Sequence, residues 1–420
     1  MTREVRLTHG ATAPIGHPEA SVTGIDPSIG RRLEAHRKRR GLSRRTLAEL
    51  VGRSQEWLRQ VEKGLRPLDS IEVLTRIAEV LRIGDWSELL TARATPARRH
   101  DASAQPLVER LRRALCGQPP LAPPEGCAEP ARGIGELWSC WRAPGRRFEV
   151  VAHHAAVALW RTGRGGPATD ADRHDRVRAL LLLHLVLSRL GERDLAYLAV
   201  HQAEQHCDAG AAPVLHACCQ QARARELHRA GYPGGARDVV EAALDRLTGH
   251  ATAGPERTGA TIGLCLCAAE VEADLGNERA AEELLVRAEA LLVRMGGSHP
   301  FGTDLDLLSP GPGAVGVVRV RSALALGKIE LALHLAQEHK PGNNHPVDER
   351  VNHDIAMARV HAGRYDDVTA LLTLLRVERV SPDDLRYDVT ARDVVETLWH
   401  TTVPPVRAEL AHLVERLHGT

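Results

Sequence analysis

The chain has 420 residues, 43% hydrophobic but only 3% aromatic, and a formal net charge of +1. That length accommodates two or three domains, and cores of Ala, Leu and Val favour close-packed helices over aromatic-rich sheets. A polycation is excluded. No apolar run reaches membrane-spanning length, and Met1–Ser21 lacks the apolar centre of a signal peptide, so a cytoplasmic protein with reduced cysteines is expected.

Residues 1–24 are polar and punctuated by Gly and Pro, which predicts a disordered tail. Residues 25–90 read as a compact domain of five helices. The stretch 29–43 is a basic amphipathic helix closed by Gly41, with Ile29, Leu33 and His36 or Arg37 at helical spacing. Ser43 caps a second short helix with Leu47, Ala48 and Leu50 facing inward, and Gly52 turns the chain. Ser54 caps a third helix, Gln55–Lys63, stopped by Gly64. A fourth follows Ser70, with Ile71, Leu74, Ile77, Ala78 and Leu81 as its buried stripe.

Charge is concentrated here. Residues 31–66 carry twelve Lys/Arg against four Asp/Glu, a net of +8 within a chain of +1. A basic patch on an otherwise mildly acidic protein is the footprint of a nucleic-acid module. Two short helices joined by a tight Gly-containing turn suit a reader of the DNA major groove. In the third helix Leu58 and Val61 point to the core, while Gln55, Glu56, Arg59 and Gln60 form the opposite face. Gln pairs bidentately with adenine, Arg with guanine, and Glu accepts from cytosine. Arg39, Arg40, Arg45 and Lys63 lie beside this face as candidate phosphate contacts, and the Ser54 hydroxyl or amide is another.

The run Gly41-Leu-Ser-Arg-Arg-Thr-Leu-Ala-Glu-Leu-Val-Gly-Arg-Ser-Gln-Glu-Trp-Leu-Arg-Gln-Val-Glu-Lys-Gly64, followed by Leu74-Thr-Arg-Ile-Ala-Glu-Val-Leu81, resembles the Cro/C1-type, or xenobiotic-response-element, helix-turn-helix family. The resemblance covers about an eighth of the chain and implies a lambda-repressor-like DNA-binding fold. It implies that Arg44 occupies a phosphate- or base-contacting position that is often Gln. It places Gln55, Glu56 and Gln60 at base-reading positions, and makes Arg37 and Glu62 an internal ion pair. Trp57 departs from the small polar residue usual there: it either meets a thymine methyl or covers the domain's own core.

Residues 91–133 are rich in Pro and read as a linker with one short helix, Leu107–Leu115. Residues 134–420 read as amphipathic helices separated by short turns. Gly191-x4-Ala196, Gly231-x4-Ala236, Gly276-x4-Ala281, Gly327-x4-Ala332 and Gly363-x4-Val368 each close one helix-length segment and open another. An apolar residue sits four further on (Val200, Val240, Leu285, Ala336, Leu372), and Ala203, Ala243 and Ala288 follow in the first three. Gly permits the tight turn and Ala the close helix approach. This register is similar to that of the tetratricopeptide repeat. An all-α chain is therefore expected: a helix-turn-helix domain followed by an α-solenoid of degenerate helical hairpins, interrupted by a long loop at Pro300–Gly316.

The cysteines form no paired C-x-x-C pattern, and the histidines accompany no H-E-x-x-H, phosphate-loop or nucleophile-elbow signature. No metal, cofactor or catalytic activity is expected. Taken together, the sequence predicts a bacterial transcriptional regulator. Its expected partners are double-stranded operator DNA, arranged as an inverted repeat, and a second copy of the chain. The repeats would serve dimerisation or sensing of a peptide or small-molecule effector. The competing reading is an adaptor whose repeat groove binds a protein.

Overall fold

The computed structural model describes residues 30, 33–34, 37, 40–63, 66, 71–81, 104–123, 133–163, 169–249, 254–295, 313–342, 345–364, 366–401 and 404–418. The described residues are helical or in turns, with no strand among them. The chain divides into two compact units, Met1–Arg99 and His100–Thr420. The expected tail at 1–24 and the fifth helix of the first unit lie outside the described residues.

In the first unit, α1 (Arg44–Val51), α2 (Gln55–Glu62) and α3 (Ile71–Leu81) pack with a first segment whose described residues 30, 33, 34 and 37 are helical. Leu33, Leu47, Ala48, Val51, Leu58, Val61, Val73, Ile77, Ala78 and Leu81 form one apolar core. Leu50, expected inward, is 48% exposed, and Val51 takes the inward place. The buried set 47, 48, 51 follows the i, i+1, i+4 rule, which leaves position 50 on the outer edge of the stripe. Gly30 sits where the first segment crosses the end of α2. A Cβ there would lie 2.1 Å from the Val61 carbonyl oxygen, so no larger residue fits this crossing.

The second unit opens with α4 (Gln105–Leu115), α5 (Ile134–Arg142) and α6 (Phe148–Thr162). α4 is not a linker element: Leu107, Val108, Leu111, Ala114 and Leu115 are buried in the unit's first core, together with residues of α5 and α6. Its amphipathic stripe needs a partner, and the helices that follow supply one.

Five antiparallel hairpins come next: α7 (Asp170–Leu190) with α8 (Arg193–Gln205), α9 (Pro213–Arg229) with α10 (Pro233–Gly249), α11 (Pro255–Asp274) with α12 (Glu278–Arg294), α13 (Ala314–Ala325) with α14 (Ile329–Glu338), and α15 (Val347–Gly363) with α16 (Asp367–Val380). The first helix of each hairpin packs on the first helix of the next. Thr169 and Asp172 form a capping box on α7, and Pro starts α9, α10 and α11, where its missing N–H costs nothing.

The Gly–Ala register holds in four of the five hairpins. Gly191, Gly231, Gly276 and Gly327 all adopt left-handed φ, from 72 to 87°. The alanines five residues on, Ala196, Ala236, Ala281 and Ala332, are buried, as are Val200, Val240, Leu285 and Ala336. The fifth hairpin departs from it. Gly363 is the last residue of α15, four residues before α16 starts where the other turn glycines stand two before, and Asp366 caps α16 by accepting from the Thr369 N–H. The buried places move two residues on, to Ala370 and Leu374, while Val368 and Leu372 are 56% and 57% exposed. The loop expected at Pro300–Gly316 also ends early, because α13 starts at Ala314; residues 300–312 lie outside the described set.

Histidines on these helices sit in unlike places. His184 is fully buried, and that burial pushes its pKa down to about 4, so it is neutral. His201 and His206 are exposed. Next to His184, Ser188 of α7 donates to Glu226 of α9 at 2.5 Å, which ties the first hairpin to the second, and Arg229 of α9 also reaches Glu226 at 2.7 Å.

After α16 come α17 (Pro382–Tyr387), α18 (Val389–Thr401) and α19 (Pro404–His418), and this end of the array returns to its start. The Arg147 guanidinium donates to Asp384 Oδ2 at 3.0 and 2.6 Å, with both side chains at 1% exposure or less. Arg189 donates to Asp384 at 3.2 Å and to Asp388 at 2.9 Å, and Ser381 donates to Asp384 at 2.5 Å. The Phe148 N–H donates to Asp383 at 3.0 Å, and the Phe148 and Tyr387 rings lie 5.5 Å apart. The repeats of this unit therefore close on themselves.

Candidate nucleic-acid interface

Local chemistry builds the helix-turn-helix. Ser43 caps α1 by accepting from the Thr46 N–H at 3.0 Å. Gly52 ends α1 in the left-handed region at φ 73°, where the Gly52 and Arg53 amides donate to the Glu49 and Ala48 carbonyls. Ser54, two residues later, caps α2 by accepting from the Trp57 N–H at 3.1 Å. The turn between the helices is thus three residues, Gly52–Ser54.

α2 buries Leu58, Val61 and Glu62 and turns the rest outward. Ser54, Gln55, Glu56, Arg59, Gln60 and Lys63 come together on the solvent side of this helix. Arg59 donates to Glu56 at 2.7 and 2.5 Å, and Gln60 donates to the same carboxylate at 3.2 Å. The Arg59 guanidinium holds the Glu56 pKa below the usual carboxylate range, and Glu56 in turn raises that of Arg59. Glu56 therefore gathers Arg59 and Gln60 on this face. An exposed pair of this kind is weak, so a base edge or phosphate can displace it.

Arg37 and Glu62 form a buried pair, 6% and 3% exposed. Arg37 Nε and Nη2 donate to the two Glu62 oxygens at 2.6 and 3.2 Å, and Nη1 donates to the Leu42 carbonyl at 2.7 Å. Arg44 adds a second cation to Glu62, at 2.5 Å, and also reaches Glu34 at 3.1 Å. The hydrogen bond to Glu62 raises the Arg44 pKa. Arg44, which the resemblance places against DNA, also ties α1 to α2 and to the first segment.

The remaining basic positions differ in their freedom. Arg45 pairs with Glu49 at 2.9 Å on the outer face of α1. Arg40 Nε donates at 2.9 Å to the Leu81 carbonyl and so caps α3. Lys63 is exposed, and Arg39 lies outside the described residues. Trp57 packs partly against the core, with the Arg53 guanidinium 5.6 Å from its ring centroid. Arg53 had no role in the sequence reading. Its position between the turn glycine and the capping serine was the available signal.

Comparison with known proteins matches residues 28–90 to the family described as Helix-turn-helix domain. No curated protein matches the chain. Among solved structures, that of Bacillus thuringiensis PlcR in complex with the peptide PapR7 and DNA is similar at 11% identity, with a TM-score of 0.34, over 82% of this chain and 99% of that one. Residues 28–90 of this chain thus carry a helix-turn-helix domain.

Proposed function

We propose that this chain is a sequence-specific transcriptional regulator that reads an operator with α2 in the major groove. The supporting observation is the solvent face of α2, where Gln55, Glu56, Arg59 and Gln60 stand together behind the Ser54 cap. Gln55 and Gln60 suit adenine, and Arg59 suits guanine once released from Glu56. Lys63, Arg45, Arg40 and Arg39 are assigned to the phosphate backbone, with Arg53 added from its place in the turn. Trp57 is assigned to packing.

In this reading the chain acts as a homodimer on two half-sites about one helical turn apart. The repeat unit serves dimerisation and the sensing of a peptide or small molecule. A basic domain at 25–90 joined to a helical array by a Pro-containing connector is the organisation such a regulator needs.

The test is footprinting of the purified full chain on genomic DNA, followed by gel-shift titration of the site it finds. Arg59→Ala is expected to weaken that site by about 1–3 kcal/mol and to relax sequence preference. A protein that protects no discrete site, or an Arg59→Ala variant with unchanged affinity and preference, would overturn the assignment.

A further inference from the structure

The outer helix of the third hairpin differs from its counterparts. Its inner stripe, Ala281, Leu285 and Ala288, is buried against the array. A second apolar stripe faces solvent: Val286 and Val293 are 53% and 72% exposed, and Ala290 between them is exposed as well. The i, i+4, i+7 spacing puts all three on one face of α12. Counted from the turn glycine, the same places hold His201, Gln205 and Asp208 in the first hairpin, and Glu241, Asp245 and Thr248 in the second. A face that is polar in two hairpins is thus apolar in the third.

Charge decides what fits this stripe. On one flank, Glu282 and Glu289 already accept from Arg319 of α13, at 3.0 and 3.3 Å. On the other, Glu283 stands in the second turn of α12 and Arg294 at its end, both exposed. Arg279 donates to Glu283 at 2.8 Å, but the two are 93% and 65% exposed, and so open a pair is weak. Two copies of α12 meeting in parallel along the stripe would set one flank against the other. Antiparallel, about a two-fold axis, each flank meets itself, and Glu283 faces the partner's Arg294 twice. The axis then passes beside Ala290, whose small side chain lets the helices approach. Arg287, about 100° round the helix from Val286, stays at the wet edge.

We propose that the outer face of α12 docks a second copy of this chain, antiparallel, with Val286, Ala290 and Val293 at the centre and two Glu283–Arg294 pairs at the rim. This surface rests on the homodimeric reading of the chain and gives that dimer its contact. One helix face buries less than the roughly 800 Å² per partner of a standard interface. The dimer is therefore weak in free solution, and two half-sites on one DNA reinforce it.

The experiment is sedimentation equilibrium of the full chain without DNA, over a range of concentrations, so operator reading does not enter the result. Wild type is expected to dimerise as concentration rises. Arg294→Glu is expected to weaken the dimer by about tenfold or more, because like charges then face across both rims. Adding Glu283→Arg to Arg294→Glu restores opposite charges and should restore the dimer. Val286→Glu with Val293→Glu should abolish it, with the circular dichroism melt unchanged because both sites are exposed. A wild type that stays monomeric at every concentration would overturn the proposal. So would a dimer indifferent to the valine substitutions, or a charge swap that fails to recover what Arg294→Glu loses. Each of those results leaves the footprinting test of the α2 face to stand or fall separately.

Discussion

In the helix-turn-helix unit, the bonds that set the geometry join near neighbours in sequence. Ser43 and Ser54 each cap across three residues, and Arg37 reaches Glu62 across only 25. In the repeat unit the deciding ion pair spans 237 residues, from Arg147 to Asp384. Both units bury an arginine on a carboxylate, yet one does so to hold a small reading surface and the other to join two ends of an array. A small domain with a single core depends on such local devices. A closed array instead adds a cluster of long-range contacts to many nearest-neighbour ones.

Removing one partner of each buried pair tests that difference most directly. Arg147→Ala is expected to cost about 3–5 kcal/mol, because Asp384 remains fully buried with only Arg189 and Ser381 to hold it. Urea unfolding of the full chain would show it as a lower midpoint for the repeat unit. Glu62→Ala is expected to cost about 3 kcal/mol in the first unit, since Arg37 then keeps the Leu42 carbonyl and a long contact to Glu34 at 3.9 Å. Hydrogen exchange should then rise in residues 40–81 and leave the repeat unit unchanged. If either variant loosens both units equally, the two are one cooperative body and the comparison fails.

A pH effect separates the units further. Burial, reinforced by Asp384 and Glu149, pushes the Asp383 pKa up to about 6 from an ordinary 3.8. The folded repeat unit therefore holds this proton more tightly than the unfolded chain. Its stabilising effect is complete below about pH 4 and is lost as pH rises through about 6. Wild type should thus lose on the order of 2 kcal/mol relative to Asp383→Asn between pH 4 and 7. A flat difference curve would show that Asp383 is ionised in the fold. The smallest expected effect is Ser54→Ala, about 1 kcal/mol of stability in the first unit from the lost cap. Thermal melting of the full chain reads it directly.

The same contrast explains what was legible in the sequence. Caps, the Gly52 turn and the buried stripe at Leu58 and Val61 are written within a few residues of where they act. Four hairpins were readable because Gly and Ala recur at one spacing with one physical purpose. The fifth was misplaced because Gly363 ends its helix instead of standing in the turn, so the buried positions fall two residues later, behind the Asp366 cap. α4 was read as a short helix at Leu107–Leu115, but the prolines around it hid that it belongs to a core. The solvent face of α2 could be read, but not the pairing of Arg44 with Glu62 or Arg40 with the end of α3. Helical periodicity says which way a side chain points, and says nothing about a partner on another element. For that reason the Arg147–Asp384 junction left no trace.

That junction also limits how this molecule can change. An open stack of hairpins gains or drops a unit at little cost, since each touches only its neighbours. Here an added or deleted hairpin would carry Asp384 away from Arg147 and strand both charges in an apolar setting. The number of hairpins is thereby locked, and variation is steered into side chains rather than into length.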